Sequence, residues 1–144
     1  MSTARTESTS APQLSRGLEI GLWVVQGLLA LTFVGTGIWK LITPIPDLAA
    51  KIPWAGQVSV GLLYATAVFD ILGGLGVVLP SATRIKPGLT VLAALGCAAL
   101  QTCAIAFHLS RGEKANTPFN FLLLALALFV SWGRRSKAPI SERS

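Results

Sequence analysis

Few side chains in this sequence could do chemistry, and the first of them is an acid in the middle of an apolar run. Asp70 lies within residues 59–80, SVGLLYATAVFDILGGLGVVLP, where every other residue is uncharged. An acid there can carry a proton, face a substrate, or hydrogen-bond two helices together. Insertion of a central Asp into hydrocarbon costs about 2.5–3.5 kcal/mol, so it must face protein or a water-filled cavity and find a partner. Three residues could serve. Gln101 lies near the middle of another apolar run, matches Asp70 in depth and ranks first. Lys40 stands at the end of its run, where it can snorkel outward, and a pair with Asp70 would need a shifted or tilted helix. His108 closes the run that holds Gln101, and a lone interfacial histidine is read as wetted rather than as a ligand. With Gln101 as its partner and no cation within reach, Asp70 is expected as a neutral acid that donates to the amide.

Other spacings were weighed against plain packing. Cys97, Gln101, Ile105 and His108 recur at i, i+4, i+8 and i+11, a single helical stripe that could line a small polar cavity against Asp70. Cys97 and Cys103 are six apart and point about 120° away from each other on a helix, so both are expected as free thiols. The sequence carries no CxxC pair, metal-ligand spacing, glycine-rich phosphate loop or nucleophile with its base. No metal is expected. One histidine at a helix end is poor support for a haem.

The elements that hold these residues are membrane spans. Charged residues make up 12% of the 144 and apolar residues 52%, where a soluble chain has about 25% charged. That composition, with a net charge of +6, points to lipid as the solvent and to basic loops, not to nucleic acid. Four stretches are long and apolar enough to cross: about 19–40, 59–79, 88–108 and 118–133. The last is short and must sit with little tilt or borrow flanking residues. Residues 1–16 read as a disordered tail, 17–134 as the membrane domain and 135–144 as a basic tail. Pro44, Pro46 and Pro53 break segment 41–58, which is expected to place a turn or two in the interface with Trp54 as a headgroup-level anchor. Pro80 is expected to end the second span. On that span Asp70 shares a face with Thr66, Ala67, Gly73, Gly74 and Val77, small residues that admit a neighbour closely, and the helix is placed at the centre of the bundle. The fold class is therefore all-α, an integral membrane four-helix bundle. Eight cations fall on the side with both termini and four on the other, which puts both termini in the cytoplasm.

These landmarks resemble the DoxX-like family of small four-helix membrane proteins. The likeness is carried by residues 37–41, GIWKL, closing the first span; residues 70–76, DILGGLG, running to Leu79-Pro80; Arg84 before the third span; and residues 108–113, HLSRGE, after it. The family usually has Glu where this sequence has Asp70. The resemblance implies a bundle in a prokaryotic cytoplasmic membrane, and its founding members are subunits of quinone-linked sulfur oxidoreductases. Two functions follow as expectations. The first is a small non-catalytic subunit or assembly partner of a membrane complex, paired with another membrane protein or with its own copies. The second is a quinone-binding component of a membrane oxidoreductase, with a polar site of Asp70, Gln101, His108 and Lys40. A narrow transporter would call for broken spans, of which the sequence gives no sign. Whether a pocket containing Asp70 opens beside the helices or the contact is closed and dry separates the first two.

Overall fold

The computed structural model describes residues 13–144, with side chains described from Arg16 onward. Residues 1–12 of the expected tail lie outside the described residues, and the rest of it already belongs to the first helix. Helix α1 spans Gln13–Ile42, α2 Ile45–Lys51, α3 Val60–Thr83, α4 Gly88–Ser110 and α5 Thr117–Trp132. Short 3-10 turns occupy Pro53–Gly56 and Lys114–Asn116, and one π-helical turn occupies Gly133–Lys137. Among the described residues there is no strand.

Four of these helices are long and apolar enough to cross a membrane, and the protein is an integral membrane bundle. Helix α5 does borrow its flanks: with the turns at either end, Lys114–Lys137 forms a span of 24 residues. The bundle closes as a ring in which α1 packs on α3, α3 on α4, α4 on α5, and α5 returns to α1. This corrects the central placement expected of α3. It has two neighbours like the others, and Val68, Phe69, Leu72, Leu75 and Leu79 face outward on its free side, where lipid solvates them at no cost.

The small-residue face does what its composition allows. A Cβ added at Gly74 would lie 2.8 Å from Val34 Cγ2, and one at Gly73 the same distance from Cys97 Sγ, so α1 and α4 both approach α3 at glycines. Pro80 does not end α3, which runs on to Thr83. The missing N–H of Pro80 removes one hydrogen bond, but a turn at a helix end is held by the bonds around it. Here Thr83 Oγ1 donates to Leu79 O at 2.8 Å, and Ser81 Oγ meets Thr90 Oγ1 of α4 at 2.7 Å. The connection to α4 is tight enough to put Arg84 and Lys86 in the left-handed region, at φ 58° and 46°.

Two packed clusters stand at different depths. One joins Leu29 and Phe33 of α1 with Val77, Cys97, Leu123, Ala127 and Val130 in the bundle interior. The other gathers Trp39, Ile45, Leu48, Ile52, Trp54, Ala55, Val58 and Leu63 where segment 41–58 folds over the far end, the end opposite both termini. Trp54, half-buried, packs against this cap. A proline-broken segment cannot span, but its apolar side chains still have to be buried somewhere, and the end of the bundle is the nearest place. Both cysteines are free, Cys97 buried and Cys103 exposed.

Candidate functional site

Between the two clusters lies a pocket of about 400 Å³, within the range usual for small-molecule sites. Its floor takes Phe33 and Leu123 from the interior cluster, and its roof takes Trp39, Ile52, Trp54 and Val58 from the cap. Lys40, Asp70, Gln101 and His108, the four candidates, all line it.

The order of partners expected for Asp70 is reversed. Lys40 Nζ lies 2.7 Å from Asp70 Oδ2, in an ion pair whose side chains are 13% and 8% exposed, and it also donates to Thr66 Oγ1 at 3.4 Å. A cation does reach the acid, so Lys40 takes the place expected for Gln101 as its partner. Two local facts bring Lys40 in. Gly37, one turn earlier, faces α3 so closely that an added Cβ would lie 2.6 Å from Ala67 O and 3.2 Å from Asp70 Cβ. Lys40 is thus only about 4.5 Å further along the axis than the point where α1 touches Asp70. Side chains on a helix also lean toward its N-terminus. On antiparallel α1 and α3, Lys40 leans back from the far end while Asp70 leans toward it, and the two converge. The ammonium lies 5.5 Å from the centre of the Trp54 ring as well.

Gln101 is 7% exposed, and its Oε1 is buried without a hydrogen-bond partner. Amide oxygen and nitrogen exchange places by a flip of the side chain, so this group can present either an acceptor or a donor to the pocket. The stripe on α4 points inward throughout: Cys97, Gln101, Ile105 and His108 are all buried.

His108 is not wetted. It is 8% exposed and its Nδ1 lies 2.7 Å from Glu113 Oε2. The chain turns back at Gly112, whose φ of 74° suits glycine, and Glu113 N–H donates to His108 O at 2.9 Å, which carries the carboxylate over the ring. Hydrogen bonds from His108 first, and from Arg111 Nε at 3.0 Å second, hold the Glu113 carboxyl below the usual carboxylate range. An ionised Glu113 accepts, so the neutral imidazole carries its proton on Nδ1 and offers Nε2 as an acceptor. Arg111 also bonds Gln57 Oε1, which ties this loop to the cap, and Phe107 packs edge-on against Trp54 at 6.0 Å.

Thr66, Trp54, Phe107 and Asn120 line the pocket without having been singled out for it. Thr66 had a signal, since it lies one turn before Asp70 on the same face. The aromatic pair had none. Among the described residues no group of three His, Cys, Asp or Glu side chains gathers as for a metal ion.

The chamber combines apolar and aromatic walls with a few polar groups, Lys40, Asp70, Gln101 and His108 among them. Residues 24–130 match the model of the DoxX-like family, a stretch that includes every residue of this site. No curated protein and no solved structure matches the chain.

Proposed function

The chain belongs to the DoxX-like family, and on that premise we propose that it is the quinone-binding membrane component of an oxidoreductase complex, set in the cytoplasmic membrane with both termini inside. The observation that carries this reading is the pocket itself. A dry, closed contact at Asp70 would have favoured a purely structural subunit, whereas about 400 Å³ of space beside Lys40, Asp70 and Gln101 favours a ligand.

The residues fit such a group in both of its redox states. A bound quinone takes up two electrons and two protons at its carbonyl oxygens. Lys40 Nζ has a proton to donate toward a carbonyl beyond those it gives Asp70 and Thr66. The orphaned Gln101 Oε1 accepts from a hydroxyl, and the flipped amide donates to a carbonyl. Asp70 holds Lys40 in place and keeps its charge compensated. His108, with Glu113 on its other nitrogen, stands between the pocket and the far surface, where it can pass a proton. The electrons come from a partner subunit with its own redox centre. On this reading the protein is still a subunit, but one that holds the acceptor.

Cys103 tests it, because this thiol lines the pocket while Cys97 is buried against Gly73. Decylubiquinone should slow maleimide labelling of Cys103 in a saturable way, and Ala104→Phe, which fills the pocket beside it, should abolish the protection. Protection that rises linearly with quinone concentration and survives Ala104→Phe would mean partition into detergent only, and the reading would fall.

A further inference from the structure

The other end of the bundle holds a second polar cluster, built around a buried arginine. Arg134 is 4% exposed, and its guanidinium donates through Nε to Gln26 Oε1 at 2.7 Å and through Nη1 to Glu19 Oε1 at 2.8 Å and Ala138 O at 3.0 Å. Its carbon lies 5.0 Å from the centre of the Trp23 ring. Gln26, fully buried, donates onward to Val77 O at 2.6 Å and Ser81 Oγ at 3.3 Å. These bonds tie the guanidinium to α1 directly and, through Gln26, to α3. They leave Nη2 buried with no partner at all.

Arg134 forms one wall of a pocket of about 140 Å³, completed by Ser81, Pro87, Gly88, Val91 and, from the C-terminal segment, Pro139 and Ile140. The first turn of α4 opens onto this space with no side-chain cap and no acidic residue. Leu89 N–H donates to Lys86 O at 2.9 Å and Thr90 N–H to Pro87 O at 3.1 Å, so Gly88 N–H and the aligned peptide dipoles are what give that end its partial positive charge. Arg84 and Lys86 precede the turn, and Arg135 and Lys137 follow Arg134 in sequence. Gln26, Glu19 and Ala138 O take the Nε and Nη1 protons and leave only those of Nη2 unmet. The C-terminal segment is laid across the pocket by backbone bonds: Arg143 N–H donates to Arg84 O at 2.8 Å, and Arg84 Nε donates to Ser141 O at 3.0 Å.

We propose that this pocket binds a phosphate group, held by Arg134 Nη2 and the N-terminus of α4, with residues 138–141 as its cover. A tetrahedral oxyanion offers several acceptors at once, which the unmet Nη2 of a guanidinium and a helix N-terminus both favour. Basic pockets between spans at the termini-bearing face are where anionic lipid headgroups dock, and the same chemistry would take free phosphate from solution. The site is at the opposite end from the Asp70 pocket and stands whether or not that pocket binds a quinone.

The test uses the full chain, delipidated in neutral detergent, with phosphatidylglycerol, phosphatidylcholine and inorganic phosphate as separate probes. Native mass spectrometry should show phosphatidylglycerol retained about tenfold better than phosphatidylcholine, because both carry the phosphate but the choline ammonium of the second is repelled by Arg84, Lys86, Arg135 and Lys137. Arg134→Lys, which keeps the charge and loses Nη2, should remove that preference. So should Val91→Phe, which fills the pocket and leaves every bond of Arg134 in place, and which decides the matter if Arg134→Lys does not fold. A rise in thermal stability with inorganic phosphate alone, absent in Val91→Phe, would assign the site to free phosphate instead of a headgroup. Equal retention of the two lipids together with no response to phosphate, or a preference that survives Val91→Phe, would overturn the proposal.

Discussion

The Lys40–Asp70 pair can be measured by a double-mutant cycle with Lys40→Met and Asp70→Asn, two changes that keep length and shape while each removes one charge. At 2.7 Å and an effective dielectric near 20, the direct attraction is about 6 kcal/mol. Desolvation of both groups offsets much of it, and loss of one partner from a buried pair costs about 3–5 kcal/mol where the survivor has no escape. Both survivors here have one. Asp70 alone can shed its charge by taking up a proton, and Lys40 alone, 13% exposed and near the far end of α1, can swing outward past Trp54. Each single change should therefore destabilise by about 2–3 kcal/mol, with a coupling energy of about 2 kcal/mol. Unfolding in mixed micelles with increasing dodecyl sulfate would supply the four free energies. Interhelical hydrogen bonds in a membrane average only about 0.6 kcal/mol in such cycles. A coupling at or below that level would mean that the pair adds no more than an ordinary polar contact, and the reasoning that places a charged pair beside the pocket would be refuted.

Three further outcomes are expected. Gly37→Leu should destabilise by about 1–3 kcal/mol, because the new side chain meets the Ala67 carbonyl where α1 and α3 touch, while Gly35→Leu on open surface should be nearly neutral; equal effects in the micelle assay would remove the close contact. Cysteine placed at Ser144 after replacement of Cys97 and Cys103 should resist an impermeant thiol reagent in intact cells, since eight cations against four put the termini inside, and ready labelling would invert the topology. The Glu113 carboxyl, held low by His108 and Arg111, contributes stability that is complete above its unfolded value and is lost as pH falls through the folded one. Loop 111–116 should therefore loosen only at pH values below the ordinary glutamate range, seen as faster amide exchange at Glu113. In Glu113→Gln that step should vanish, and a midpoint unchanged in the variant would show that another group is responsible.

The spans, their number and the inward stripe on α4 were legible because each depends on one helix at a time. Length against the bilayer picks out the spans, and a period of 3.6 residues places Cys97, Gln101, Ile105 and His108 on one face. His108 was misplaced because its environment is made by a loop, and nothing in HLSRGE says that Gly112 will turn Glu113 back over the ring. The contact of Trp54 with Phe107 was hidden for a related reason, since nothing in either segment names the other.

The rank of Lys40 below Gln101 fails more instructively. Counting residues from each helix end gives depth along that helix, and by that count Gln101 matches Asp70 and Lys40 does not. The relevant quantity is the offset between helices, and that is set where they touch. Gly37 against Ala67 and Asp70 fixes α1 and α3 with the end of one beside the interior of the other. The contact was half visible in the sequence, since the small face around Asp70 stood out as a place of close approach, but nothing in that segment names Gly37 as what meets it. Once they meet, the opposite lean of side chains on antiparallel helices closes the remaining distance. An acid on the α1-facing side of α3, with a glycine opposite it and a lysine three residues past that glycine, is then a pair by geometry. The cap over the pocket follows from the same offset, because an α1 that ends at Ile42, close beyond the level of Asp70, leaves the far end of the bundle open for segment 41–58 to fill.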